Sequence, residues 1–202
     1  GLQNAYNDIV HNKGMVSQVD KRPFKLGENI ATSKGAVVYR DEIMEVLQYA
    51  PTTDEVYAIP QLTIPPQINK MYINDLSPDK SVIKWQVDNG IQTFVISWRN
   101  PSKDQGHWGM ADYIAACEKA LEVVASITGS KKVNVSAGCS CGQTASVLAS
   151  KLAATGNPMA DGVGPGSYAL RADVPDLTLE NEPKILPLRA ASALSGRRAS
   201  AS

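Results

Sequence analysis

A chain of 202 residues with 20 basic and 20 acidic side chains has a formal net charge of zero, which leaves no field to hold a polyanion and sets nucleic acid and acidic membrane surfaces aside as partners. With 43% apolar and 20% charged residues the composition is ordinary for a globular domain, and no apolar run is long enough for a membrane span or a signal peptide. Three cysteines, two of them two residues apart, make a poor disulfide framework and point to a reducing compartment, so the chain reads as a cytosolic protein or a piece of one.

Residues 1–35 show no sustained period of two or 3.6 and are expected to form an irregular arm, with His11 on the surface and Phe24 and Leu26 packed onto the core. Ile43, Met44 and Leu47 then share one helical face behind early acidic residues, which predicts a short helix over 41–48. Pro51 breaks it. Strands are expected at 56–59 and 61–64, the second ended by Pro65 and Pro66, which cannot donate to a ladder. Ser77 as an N-cap, Pro78 at the first helical position and Gly90 as the stop predict a helix over 78–89.

The run 93–98 is too continuously apolar and β-branched for a half-exposed strand and suits a parallel sheet covered on both faces. From Met110, the positions of Tyr113, Ile114, Cys117, Leu121, Val124 and Ile127 predict an amphipathic helix closed by Gly129, with Cys117 in the core. A strand at 132–136 and a helix at 142–154 complete an alternation that argues an α/β chain with a mostly parallel sheet, flanking helices and right-handed crossovers. After Pro158 the pattern stops. Residues 159–202, rich in glycine and proline and low in complexity at the end, are expected to be mostly unstructured, as a shifted reading frame or a recombinant junction would be.

The stretch 132–149 carries the chemistry. A short apolar run meets Ser136, Ala137, Gly138, Cys139, Ser140, Cys141 and Gly142, then a helix-forming run. Strand, sharp turn and helix is the order of a nucleophile elbow, where a strained turn lifts one side chain off the sheet beside a backbone N–H that can hold an oxyanion. Two registers compete. Gly138-Cys139-Ser140-Cys141-Gly142 matches G-x-S-x-G with Ser140 at its centre, whereas strand phase from Val133 and Asn134 puts Ala137 and Cys141 at the small positions and Cys139 at the tip. The second register is preferred. The loop 66–69 is where a second oxyanion donor is expected. Cys139 and Cys141 also make a C-x-C half-site, but only Cys117, His11 and His107 are at hand to complete it, and no metal is expected.

Several blocks upstream of this elbow are specific: Val37-Val38-Tyr39-Arg40, Pro65-Pro66-Gln67-Ile68-Asn69-Lys70, Asp75-Leu76-Ser77-Pro78, Ser97-Trp98-Arg99-Asn100-Pro101 and Asp112-Tyr113-Ile114. In this order they closely resemble polyhydroxyalkanoate (PHA) synthases, from about Asn4 to about Pro158 and not beyond, and Gln67 with the Asp75 and Ile127 blocks looks most like the medium-chain-length class. The resemblance implies an α/β-hydrolase-like fold in truncated form. Residues 1–55 would be the N-terminal synthase region, 56–158 the N-terminal part of the hydrolase core with its elbow, and 159–202 a non-native tail.

It also implies an acyltransferase that polymerises 3-hydroxyacyl-CoA into polyester with release of CoA, the chain growing as a thioester on Cys139 with the backbone N–H of Ser140 as one oxyanion donor. Coenzyme A enters as substrate and no cofactor is expected. The implied partners are the growing polyester and its granule, and a second copy in a homodimer when full length. The implied location is the cytoplasm at PHA granules, with no membrane span. The family places glycine where this chain has Ala137 and Cys141, so Cys141→Gly is expected to be tolerated or to help. Such enzymes order nucleophile, acid and histidine along the chain, and no histidine follows Cys139. This chain alone is therefore expected to be an inactive fragment lacking the triad Asp and His. Two alternatives are a serine esterase or lipase using Ser140 and a non-catalytic granule-associated module.

Overall fold

The run from Thr93 to Trp98, β5 (Thr93–Trp98), buries five of its six residues and lies inside the sheet with helices packed over both faces. The computed structural model describes residues 1–17, 19–156, 169–171 and 183–184. Around β5 lie β1 (Gly35–Arg40), β2 (Met44–Tyr49), β4 (Gln61–Ile64), β6 (Asn134–Gly138) and β7 (Ala169–Arg171), in the order β1-β2-β5-β4-β6-β7. The inner pairs β5–β4 and β4–β6 are parallel, while β1–β2, β2–β5 and β6–β7 are antiparallel. The chain is α/β as expected, but its sheet is mixed and not mostly parallel.

Two successive crossovers run in opposite directions along the sheet. One runs through α2 (Val82–Asp88) to β5, and the next runs from β5 through α3 (Met110–Thr128) to β6 on the far side of β4. Crossovers of one hand that travel in opposite directions put their helices on opposite faces. Accordingly Ile83 and Val87 of α2 pack with Tyr49 and Val95 on one face. Residues of α3 and α4 (Ser140–Ala154) pack with Met44, Val46, Leu62, Phe94 and Ile96 on the other. The switch in strand order falls at β4, and it is at the carboxyl ends of the strands beside such a switch that ligands of open α/β sheets bind.

The helix expected at 41–48 is the strand β2. Its apolar residues are shared between two covered faces, Met44 and Val46 toward α3 and α4, Leu47 and Tyr49 toward α2, and that sharing mimics helical spacing. Asp41 caps no helix. Its Oδ1 accepts from the N–H groups of Ile43 (2.9 Å) and Met44 (2.8 Å) and turns the β1–β2 hairpin, as aspartate does in local turns.

The N-terminal arm is also more regular than expected. Leu2, Tyr6, Ile9 and Val10 recur at helical spacing along α1 (Leu2–His11), which buries no residue, and His11 is exposed. Phe24 and Leu26 do not pack onto the core, being 54% and 64% exposed. The next helix, α2, starts four residues later than the Pro78 signal suggested. Ser81 caps it by accepting from the Lys84 N–H at 2.8 Å, while Ser77 binds Asp79 instead.

The stop at Gly90 is as expected. The Gly90 N–H reaches Val87 O and the Ile91 N–H reaches Gln86 O, with Gly90 at φ +75, a left-handed C-cap. A Cβ there would also meet the Glu55 carbonyl oxygen at 3.2 Å. Gly90→Ala is therefore expected to cost about 1–2 kcal/mol, read as a lowered urea midpoint with an unchanged slope.

Helix α3 ends at Gly129 as its pattern predicts, with Cys117 fully buried. Strand β6 and helix α4 each begin within two residues of the expected positions. β3 (Val56–Tyr57) is shorter than predicted and pairs with β8 (Pro183–Lys184) in a separate ribbon. β7 and β8 both come from the tail expected to be unstructured, and β7 covers the edge of β6 with the pairs Ser136↔Arg171, Ala137↔Leu170 and Gly138↔Ala169. The remainder of the 159–202 expectation lies outside the described residues.

Candidate active site

β6 alternates Val135 and Ala137 into the core and delivers Cys139 to the carboxyl end of the sheet, where α4 begins at the next residue. Cys139 sits at φ 56, ψ −131, a sparsely populated region for a side chain with a Cβ, and such conformations persist only where the surrounding fold enforces them. Its thiol is exposed. Ser140, by contrast, is the first residue of α4 and takes no part in the turn's strain. The tip of the turn is thus the Cys139 position of the strand-phase register.

The first N–H groups of a helix lack intrahelical partners and sit at the positive end of its dipole, so they suit a developing oxyanion. In α4 these belong to Ser140 and Cys141, because the Gly142 N–H closes the turn on Cys139 O at 3.0 Å.

The loop after β4 packs directly against this helix start. Cys141 Sγ lies 2.9 Å from Pro65 O and 3.3 Å from Gln67 Oε1, Gln67 Nε2 donates to Thr144 Oγ1 at 3.1 Å, and Thr144 Oγ1 donates to Met110 Sδ at 3.7 Å. Trp98 at the end of β5 donates from Nε1 to the same Pro65 oxygen at 2.7 Å and meets Tyr113 of α3 edge-on at 5.2 Å. Five elements therefore converge at the carboxyl end of β4: β4, β5 and β6 with the starts of α3 and α4. Sequence reasoning singled out Cys139, Ser140 and the loop as candidates, but missed the Pro65, Gln67, Trp98 and Thr144 contacts that join them.

Within residues 66–69, proline has no N–H, Asn69 donates to Pro66 O at 2.9 Å, and the Gln67 main chain faces the Cys141 sulfur. The N–H left for a ligand is that of Ile68, whose side chain is 86% exposed. His107 is exposed with Nδ1 3.1 Å from Asp104 O, and no hydrogen bond among the described residues joins it or His11 to Cys139. Among the described residues no cluster of three or more metal-ligating side chains occurs.

The three free thiols differ in environment. Burial pushes the Cys141 thiol up to about 11, partly offset by the Gln67 main chain and the Thr144 hydroxyl, and burial raises Cys117 further, with Cys141 adding to the effect. Burial, then the charge of Asp75, lifts the Tyr49 phenol to about 12. All three groups are neutral in the fold, and each raised pKa means that the native state keeps a proton the unfolded chain gives up. Their contribution to stability is intact below about pH 9 and is lost as pH rises from there toward 11 to 12. A urea series is expected to show stability falling over that window, with a shallower fall in Cys141→Ser.

Residues 1–86 match the family model for the N-terminus of poly-beta-hydroxybutyrate polymerase. Poly(3-hydroxyalkanoate) polymerase 1 of Ectopseudomonas oleovorans is 44% identical over 182 residues, 90% of this chain and 32% of the relative. Polymerase 2 of that organism is 42% identical over 154 residues, covering 76% and 28%, and the polymerase subunit PhaC of Cupriavidus necator is 41% identical over 157 residues, covering 77% and 26%.

A family model for the photosynthetic reaction centre H-chain N-terminal region also matches residues 119–190. Most of that stretch lies within the polymerase 1 alignment, which omits only a tenth of the chain. No described helix is long and apolar enough to cross a membrane. The chain belongs to the poly(3-hydroxyalkanoate) polymerase family and spans between about a quarter and a third of the length of these curated relatives. An alignment of 182 residues also runs past Pro158, where the sequence alone showed no likeness.

Proposed function

We propose that this chain is the part of a polyhydroxyalkanoate synthase that carries the nucleophile, within an α/β-hydrolase-like core, and that Cys139 holds the growing polyester as a thioester. The observation that carries the reading is the exposed thiol of Cys139 at φ 56, ψ −131 between a sheet strand and a helix N-terminus. The parallel trio β5-β4-β6, covered on both faces, supports the fold assignment.

The Cys139 thiolate attacks the carbonyl carbon of a 3-hydroxyacyl-CoA, and the negative charge moves to the carbonyl oxygen, within reach of the Ser140 and Ile68 N–H groups. Collapse expels the CoA thiolate and leaves the acyl group on Cys139. A hydroxyl of another acyl unit, losing its proton to a base, then attacks a thioester carbonyl carbon; the ester C–O bond forms as the C–S bond breaks, and the released thiolate takes up the proton. The base also raises the thiolate population of Cys139.

The chain spans at most about a third of its relatives' length, and we assign that base and its acidic partner to the part of the polymerase it does not span. The chain alone is then acylated slowly and does not turn over. Its substrate would be 3-hydroxyacyl-CoA with no cofactor. Its setting would be the cytoplasm, in association with PHA granules, and the full-length enzyme would pair with a second copy. Iodoacetamide tests the assignment. One equivalent at neutral pH is expected to label Cys139 and to block later acylation by a p-nitrophenyl ester, sparing buried Cys117 and Cys141. Acylation that survives full labelling of Cys139 points instead to Ser140.

A further inference from the structure

The second residue of α4, Cys141, reaches out of the elbow into the neighbouring loop. None of its surface is exposed (0%). Its sulfur meets Pro65 O at 2.9 Å and Gln67 Oε1 at 3.3 Å, and Gln67 is fastened again to Thr144 in the next turn of the same helix. The loop is thus tied on both sides of Pro66 to the helix whose first turn fixes Cys139. The Ile68 side chain, lying mostly in solvent, gives the loop no anchor of its own.

We propose that Cys141 is a positioning residue for acyl transfer: its thiol fastens residues 65–67 to the start of α4 and so keeps the Ile68 N–H beside that of Ser140, at the oxyanion formed on Cys139. The inference rests on Cys139 being the nucleophile. An oxyanion donor works only within hydrogen-bond reach of the developing charge, and displacement on the order of 1 Å loses much of its effect. Trp98 Nε1 holds the same Pro65 oxygen from β5, but no hydrogen bond among the described residues joins β5 to Gln67. Glycine at 141 permits the same helix start without either sulfur contact, so the proposal expects Cys141→Gly to slow acylation in this chain, against the tolerance that the family likeness implies.

Two reactions at Cys139 separate positioning from plain structure. With p-nitrophenyl butyrate the Cys139 sulfur bonds to the carbonyl carbon, the thiol proton goes to solvent, and p-nitrophenolate leaves with the electron pair after an oxyanion has formed. With iodoacetamide the sulfur displaces iodide at a saturated carbon and no oxyanion forms. Both rates are measured on the 202-residue chain, with peptide mapping to assign the adduct.

Cys141→Ala and Cys141→Gly are expected to slow acylation roughly 10- to 100-fold and to leave alkylation of Cys139 unchanged. Cys141→Ser, which keeps a donor for Pro65 O, recovers most of the acylation rate. A parallel fall in both rates, acylation indifferent to residue 141, or serine behaving like alanine overturns the positioning role while leaving the nucleophile intact. A parent chain alkylated but never acylated at Cys139 overturns both readings.

Discussion

Replacing Cys139 by alanine is expected to abolish covalent acylation at the elbow and, in a full-length polymerase carrying this segment, to lower CoA release by a factor on the order of 10⁴ or more. The size of the effect follows from the thioester itself. The Ser140 and Ile68 N–H groups, as the proposed oxyanion donors, would polarise a bound carbonyl, but they have no electron pair to give it. Ser140 cannot replace the thiol, because its side chain leaves the first position of α4 and not the strained turn. The fold is expected to survive, since Cys139 is exposed and its loss removes no core contact. Alanine must still adopt φ 56, so the comparison includes Cys139→Gly, which relieves that strain and should be equally inactive. CoA release from 3-hydroxyacyl-CoA in Cys139→Ala at a rate near the parent's would exclude the mechanism.

The second large effect is expected at Asp75, remote in sequence from the elbow. Its side chain is completely buried (0% exposed). It accepts from the Ser33 N–H at 3.0 Å, the Ser33 hydroxyl at 2.9 Å and the Ser81 hydroxyl at 2.6 Å, while its carbonyl oxygen accepts from the Ala31 N–H at 2.9 Å. One carboxylate thus fastens the N-terminal arm to the cap of α2. Asp75→Ala leaves three donors without an acceptor in a buried space, and the expected loss is about 3 kcal/mol. The urea midpoint should fall, and limited trypsin should cut earlier at Lys21 and Lys25, Arg22 being shielded by the following Pro23. A loss under about 1 kcal/mol would mean that water replaces the carboxylate and that the arm is held some other way.

Patterns that depend on one face or one period were legible from residue order. The α3 stripe with its Gly129 stop and the unbroken apolar run of β5 both formed where expected, and strand phase placed Cys139 at the turn. What stayed hidden depends on who lies next to whom. β2 imitates a helix because α2 covers one of its faces and α3 with α4 the other, a fact of tertiary packing. Three antiparallel pairings, one of them from the tail, make the sheet mixed in a way alternation of strands and helices does not disclose. In the site, the nucleophile position lies within one local motif. The Cys141 contact to Pro65 joins residues 76 positions apart, and the sequence offered only the family's glycine as a guide there. The α1 stripe covers too few residues to stand out, and no core packing reinforces it.

The central claim is that Cys139 carries acyl groups as a thioester, and the most direct measurement is a peptide map after incubation with a 3-hydroxyacyl-CoA and acid quench. Cleavage after Lys132 and Lys151 yields one peptide, 133–151, that holds Cys139, Ser140 and Cys141 together. The predicted result is one 3-hydroxyacyl increment on that peptide, fragmenting to Cys139 and removed by neutral hydroxylamine, as a thioester is. An increment on Ser140 that resists hydroxylamine, or a Cys139 that takes iodoacetamide but never the acyl group, would contradict the account.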